Sequence, residues 1–142
     1  MVSNSLVFAL LAMLLWGLAP LFGKLGLGGL EPLTALTIRS GVITLILVVF
    51  VLATGKGAAV MSAQPRDVAF ICLEGLCAAL LGQLAYYYAL KYGELGKVTP
   101  VVAAFPLVAF VLGLLVLGEK LTWSKGLGAL FVVIGVALLN YR

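Results

Sequence analysis

The sequence predicts an all-α membrane protein of five transmembrane helices, and three observations carry that prediction. Of the 142 residues, 64% are hydrophobic and only 10% are charged, with a mean hydropathy of +1.26. A soluble domain of this size cannot hide so much apolar surface. The apolar runs are continuous, whereas the strands of a membrane β-barrel alternate polar and apolar residues. Five runs reach the length of roughly 20 residues that a helix needs to cross the hydrocarbon layer.

Helix 1 is expected from about Leu6 to Leu27. No Lys or Arg precedes its apolar run and no A-x-A-like site closes it, which favours a retained span over a signal peptide. Pro20 should kink it. Gly26-Leu27-Gly28-Gly29 should end it, because glycine accepts the left-handed conformation that closes helices. Glu31-Pro32 starts helix 2, from about Pro32 to Thr54, with proline in the first turn where its missing N–H does no harm. Gly55 to Arg66 is the longest loop. Asp67 is the expected cap of helix 3, from about Val68 to Lys91. Thr99 is the expected cap of helix 4, from about Pro100 to Gly118. Thr122 or Ser124 caps helix 5, from about Trp123 to Asn140. All loops are short, so consecutive helices should be antiparallel neighbours within a single domain covering residues 1–142.

The most informative stretch runs from Gly82 to Leu121. One apolar run ends there in Tyr86-Tyr87-Tyr88, and Thr99-Pro100 opens another that carries Pro106 inside it. A helix packed in water rarely keeps an interior proline. In lipid the freed backbone groups can be satisfied by neighbours or can face a water-filled cavity, so Pro106 is a candidate for opening a carbonyl to such a cavity.

The net charge of +4 comes without a basic cluster or a nucleic-acid motif, so its partners are lipid headgroups rather than nucleic acid. Five helices put the termini on opposite sides. The N-terminal side, side A, receives Lys56, Arg66, Lys120 and Lys125. Side B receives Lys91, Lys97 and Arg142, with Lys24 added if it reaches outward. Orientation normally follows an excess of Lys and Arg on the cytoplasmic side, and here that excess is almost absent. Insertion in both orientations therefore stands beside a single, weakly set orientation. Two oppositely inserted copies would reproduce the inverted repeats on which many transporters are built.

Enzyme chemistry and cofactors are not expected. There is no histidine, no phosphate loop and no serine or cysteine beside a base. Cys72 and Cys77 lie five apart in one helix and read as apolar filler, so no metal site is expected.

Charges inside a span are the sharpest functional signal, because Lys, Arg or Asp at a helix centre costs about 2.5–3.5 kcal/mol on insertion scales. Glu74 lies about 9–10 Å into helix 3 by helix rise. It is either a coupling carboxylate or a paired structural group. Arg39 lies two turns into helix 2 from side B and either binds an anion or holds backbone carbonyls. In an inverted pair it falls at the level of Glu74 of the other copy. Lys24 either snorkels to side B or serves the cavity. Trp16 lies mid-membrane, where tryptophan is unusual, and either lines the cavity or fills the core. Tyr87 and Tyr88 offer a hydroxyl to the cavity or anchor at the interface. Gln83 is placed to hydrogen-bond within the bundle. Small residues form a stripe in helix 3 (Ala78, Gly82, Ala85, Ala89) and a pair in helix 4 (Ala109, Gly113). Gly128 and Gly135 in helix 5 fall on nearly one face and mark either dimerisation or packing within one copy.

Taken together, these residues resemble the EamA-like domain of the drug/metabolite transporter superfamily. The matching motifs are Leu15-Trp16-Gly17 with Lys24, Glu31-Pro32 with Arg39, and Tyr87-Tyr88-Ala89-Leu90-Lys91-Tyr92. Pro106 and Gly118-Glu119-Lys120-Leu121 follow, and then Gly128 and Gly135. The resemblance covers nearly the whole chain. It implies one five-helix half of a ten-helix inverted-repeat transporter, of the kind found alone in short bacterial and archaeal members, in a prokaryotic cell membrane. It also implies secondary transport of a small metabolite or drug by alternating access, with two copies forming a homodimer. A non-transporting membrane subunit and half of an obligate heterodimer are the alternatives.

Overall fold

The computed structural model describes residues 4–141. Arg142, counted above on side B, lies outside them. Among the described residues every regular element is a helix: α1 (Asn4–Gly26), α2 (Pro32–Ala53), the short α3 (Gly57–Met61) and α4 (Pro65–Glu74), then a π-helical segment (Gly75–Gly82) and α5 (Gln83–Tyr92), then α6 (Leu95–Val102), α7 (Phe105–Val116) and α8 (Trp123–Asn140). By continuity they make five helices long and apolar enough to cross a membrane, Asn4–Gly26, Pro32–Ala53, Pro65–Tyr92, Leu95–Val116 and Trp123–Asn140. The fold is therefore all-α, with five spans as the sequence predicts. The chain divides into two compact units, one up to Tyr92 and one from Gly93.

In the first unit α5 packs on both α1 and α2. The contact is concentrated where α1 ends, α2 begins and α5 ends. Leu90 is completely buried there, and Leu27 and Leu36 are 3% exposed. Pro20 and Pro32 are buried at the same end. Away from it, long apolar side chains such as Phe8, Leu45 and Phe70 point outward. That is the expected state of spans whose solvent is lipid or another helix rather than water.

Several local expectations are corrected. The glycines after α1 do not adopt the left-handed conformation. Among the described residues positive φ occurs only at Gly55 (68°) and Gly118 (65°), and α1 closes instead through a run of turns from Gly26 to Gly29. The segment at Pro65–Glu74 starts before Asp67. Gln64 sits at its cap position, Pro65 fills the first turn, and Asp67 lies within that turn, where a carboxylate favours the helix dipole. Thr99 is not a cap either. α6 begins at Leu95 behind an extended Glu94 (φ −75°, ψ 135°), with Pro100 inside the helix. The Glu94 carbonyl accepts from the N–H groups of Lys97 (3.1 Å) and Val98 (2.9 Å), and its carboxylate pairs with Lys97 at 3.2 Å. The loop after α2 contains α3. Thr122 does cap α8, its hydroxyl accepting from the Lys125 N–H at 3.4 Å.

In the second unit α6 packs on α8. The α7–α8 turn is built around Glu119. Gly118 takes its left-handed conformation and the Glu119 N–H returns to the Gly113 carbonyl at 3.0 Å. The Glu119 carboxylate meets Lys125 at 3.0 Å. A β-carbon on Gly113 would lie 3.3 Å from the Glu119 carboxyl carbon, so Gly113 makes room for a turn residue. That role differs from the helix-packing pair expected with Ala109.

Two expectations follow for this turn. Glu119→Gln should cost under about 1 kcal/mol, because its ion pair is half-exposed. Gly113→Val should lower the melting temperature of the detergent-solubilised protein clearly more. Glu119→Ala should recover part of that loss, a non-additivity that a thermal-unfolding double-mutant cycle reads directly.

Candidate functional site

The closed end of the first unit is held by two lysines that bond backbone carbonyls. The Lys24 ammonium, in the last turn of α1, donates to the Leu90 carbonyl of α5. The Lys91 ammonium donates in the opposite sense to the Leu30 carbonyl, 3.2 Å away in the α1–α2 connection. Both acceptors need an outside donor. Leu90 lies in the last turn of α5, where carbonyls have no helical partner, and a cation there also favours the helix dipole. Lys24 is half-buried rather than extended into solvent. Gly23 lets the helices approach, since a β-carbon there would be 3.6 Å from the Leu90 side chain and 3.7 Å from the Tyr87 ring. Lys24 and Tyr87 are thus brought to one place.

The other candidate residues are distributed. Tyr88 stacks on Tyr92 with ring centroids 6.4 Å apart, the arrangement of an anchoring pair. Trp16 is 70% exposed on α1. Arg39 on α2 and Glu74 at the end of α4 are both exposed, and among the described residues neither has an ion pair or a side-chain hydrogen bond. Pro106 lies in the first turn of α7, in the second unit. Lacking an N–H, it leaves the Val102 carbonyl four residues back without its helical donor. Leu107 turns to the Ala104 carbonyl instead, at 2.9 Å. Pro20 does the same to the Trp16 carbonyl. Around Gly128 and Gly135 of α8 an added β-carbon would meet nothing within 4 Å.

Two features are not expected from the sequence pattern as read above. One is the π-helical segment Gly75–Gly82, between Glu74 and Gln83. Its backbone uses i→i+5 bonds, a rare arrangement frequent at functional sites, and the Gln83 N–H reaches the Ala78 carbonyl. Gly82 is matched to it, because a β-carbon there would lie 2.9 Å from the Cys77 carbonyl oxygen. The extra residue per turn re-phases everything that follows. Ala78, Gly82, Ala85 and Ala89 run from inside this segment into α5, so their angular spacing differs from that of a regular helix. The other feature is a groove of about 640 Å³ along α2, lined by residues that include Thr37, Ser40, Gly41 and Thr44, with Leu80 of the π segment at its side. Hydroxyls and a glycine at i, i+3, i+4 and i+7 put one mildly polar face on an otherwise apolar helix, a period the sequence does carry. Thr37 bonds back to the Leu33 carbonyl at 2.9 Å. Among the described residues Ser40 and Thr44 have no side-chain hydrogen bond.

An all-α body of five apolar spans, tied at one end of its first unit and carrying charges, proline-freed carbonyls and a hydroxyl face within the membrane, defines a polytopic membrane protein of the transporter class. The chain belongs to the EamA-like transporter family, whose model matches residues 3–141, and it has the extent of a single five-helix half. It is 33% identical over 132 residues, 93% of each chain, to an uncharacterized transporter in the cobO 3' region of a Sinorhizobium species. It is 32% identical over 99 residues to a probable 4-amino-4-deoxy-L-arabinose-phosphoundecaprenol flippase subunit, ArnF, of Yersinia enterocolitica, covering 64% of this chain and 71% of that one. No solved structure matches the chain at a significant level.

Lys24→Met should strand the Leu90 carbonyl and cost about 1–3 kcal/mol, whereas Lys24→Arg should keep most of the stability. Thermal unfolding in detergent separates the two. Gly82→Ala should push the π segment toward ordinary helical bonding. Spin labels at Val68→Cys and Tyr92→Cys, with Cys72 and Cys77 replaced, should report a changed distance along the third span. Gly75→Ala, where an added β-carbon meets nothing within 4 Å, should leave that distance unchanged.

Proposed function

We propose that the chain is one half of a small-metabolite or drug transporter that works as a dimer by alternating access, in the cell membrane of a prokaryote. Membership of the family supplies transport. The observation that supports a dimer is the imbalance of the first unit. One end is tied by Lys24 and Lys91, while Trp16, Arg39, Glu74 and the α2 hydroxyl face remain uncovered. Intramembrane charges and polar faces normally look inward, toward a bundle or a cavity, and a second copy is the covering that this reading supplies. The nearly balanced loop charges favour a second copy inserted the other way.

In this reading the five helices act as one domain and no chemistry is done on the substrate. The cavity takes Trp16, Tyr87 and Gln83 as apolar and hydrogen-bonding contacts. The flippase-subunit relative handles a sugar joined to a long lipid by its printed name. An amphipathic substrate entering sideways from the bilayer fits the open α2 groove, whose hydroxyl face would meet the polar part. That relative is also called a subunit, which keeps an obligate heterodimer with a related chain as the second reading.

The test is transport by the purified chain alone. Reconstituted into liposomes, it should move amphipathic cations, amino acids or sugar derivatives from a substrate panel, and Trp16→Ala should abolish movement while leaving insertion intact. C-terminal fusions to a cytoplasm-only and an outside-only reporter should both be active. A single active reporter together with an inert liposome preparation would replace the homodimer by a heterodimer or a non-transporting subunit.

A further inference from the structure

Arg39 and Glu74 are opposite charges inside two neighbouring spans, and among the described residues of the protomer both lack an ion pair. Their levels along the spans also differ. Arg39 lies seven residues after Pro32, about 10 Å in from the tied end, by a rise of 1.5 Å per residue. Glu74 lies nine residues after Pro65, about 13 Å in from the opposite end. Across a hydrocarbon layer of about 30 Å, the two α-carbons of one copy differ in depth by about 7 Å. α2 meets the third span through α5, beyond the π segment and away from Glu74. In a copy inserted the other way, depths are counted from the other face. Arg39 of one copy and Glu74 of its partner then differ by only about 3 Å.

We infer that, in the inverted dimer, Arg39 of each copy pairs with Glu74 of the other, so that each copy completes an intramembrane site begun by its partner. The inference rests on the dimer reading above. A two-fold axis in the membrane plane makes the contact twice, once on each side of the axis, as an isologous interface requires. The pair neutralises four charges that would otherwise stay unpaired in lipid, and removing one partner exposes the other to the full cost of an uncompensated buried charge. It also places a guanidinium and a carboxylate beside the π segment and the hydroxyl face of α2. An anionic group entering there would compete with Glu74 for Arg39, and a cationic group would compete with Arg39 for Glu74.

The test uses two co-expressed full-length copies with different tags, both carrying Cys72→Ala and Cys77→Ala. One copy carries Arg39→Cys and the other Glu74→Cys, so one pair becomes two thiols while the symmetry-related Arg39–Glu74 pair stays intact. Copper-phenanthroline should link the mixed pair about tenfold faster than two Arg39→Cys copies or two Glu74→Cys copies, a difference worth about 1.4 kcal/mol. Arg39→Glu alone and Glu74→Arg alone should each reduce co-purification of the two tags, and the exchange of both in every copy should restore it. If the tags co-purify but like pairs link as fast as mixed ones, the dimer stands and the pairing is wrong. If the tags do not co-purify at all, the homodimer fails, and the pairing with it.

Discussion

Within these spans there is no water to satisfy a freed carbonyl or a stray charge, and the arrangement of the chain follows from that constraint. The two lysines of the first unit answer it directly. Lys24 and Lys91 commit their ammonium groups to the Leu90 carbonyl, in the last turn of α5 where helix geometry leaves carbonyls unsatisfied, and to the Leu30 carbonyl in the α1–α2 connection. Each bond crosses between distant parts of the sequence, so satisfying the backbone also fixes which helix ends lie together. The hydroxyls of Thr37 and Thr54 do the local version, bonding carbonyls four residues back.

The same constraint gives the glycines their separate meanings. Gly82 is small because the π segment brings the Cys77 carbonyl to where a β-carbon would stand. Gly113 is small because Glu119 folds its carboxylate onto α7. Gly23 admits Leu90 and Tyr87. At Gly128 and Gly135 an added β-carbon would meet nothing within 4 Å, which distinguishes them from glycines that make room for a neighbouring atom. Equal spacing in the sequence therefore conceals different physical roles, which only the neighbouring atoms separate.

These roles also decide what is legible in the sequence. Five spans can be read because continuous hydropathy over a membrane-crossing length is rare in any chain that stays in water. Glu31-Pro32 and Thr122 can be read because capping is chemistry of adjacent residues. Thr99 misleads for the complementary reason. Thr-Pro is a good helix start, but Glu94 offers an earlier one, and a proline inside a membrane helix costs less than it does in water. The π segment carries no local signal apart from its bounding glycines, since an i→i+5 ladder is chosen by packing. The closed end of the first unit is likewise invisible, because Lys24 and Leu90 lie far apart in the chain. Of the candidate site, the intramembrane charges are plain in the sequence, whereas the α2 hydroxyl face is visible only as a period among louder signals.

The π segment occupies a decisive position between the tied end and the unpaired acid. It separates Glu74, whose side chain faces outward without an ion pair, from Gln83 and Tyr87, which belong to the tied end. The wide turn holds one residue more than the α-helical turns on either side of it. Absorbing it would rotate the half of the third span bearing Glu74 against the half held through Leu90. Gly82 fits that wide turn, since a β-carbon there would lie 2.9 Å from the Cys77 carbonyl oxygen.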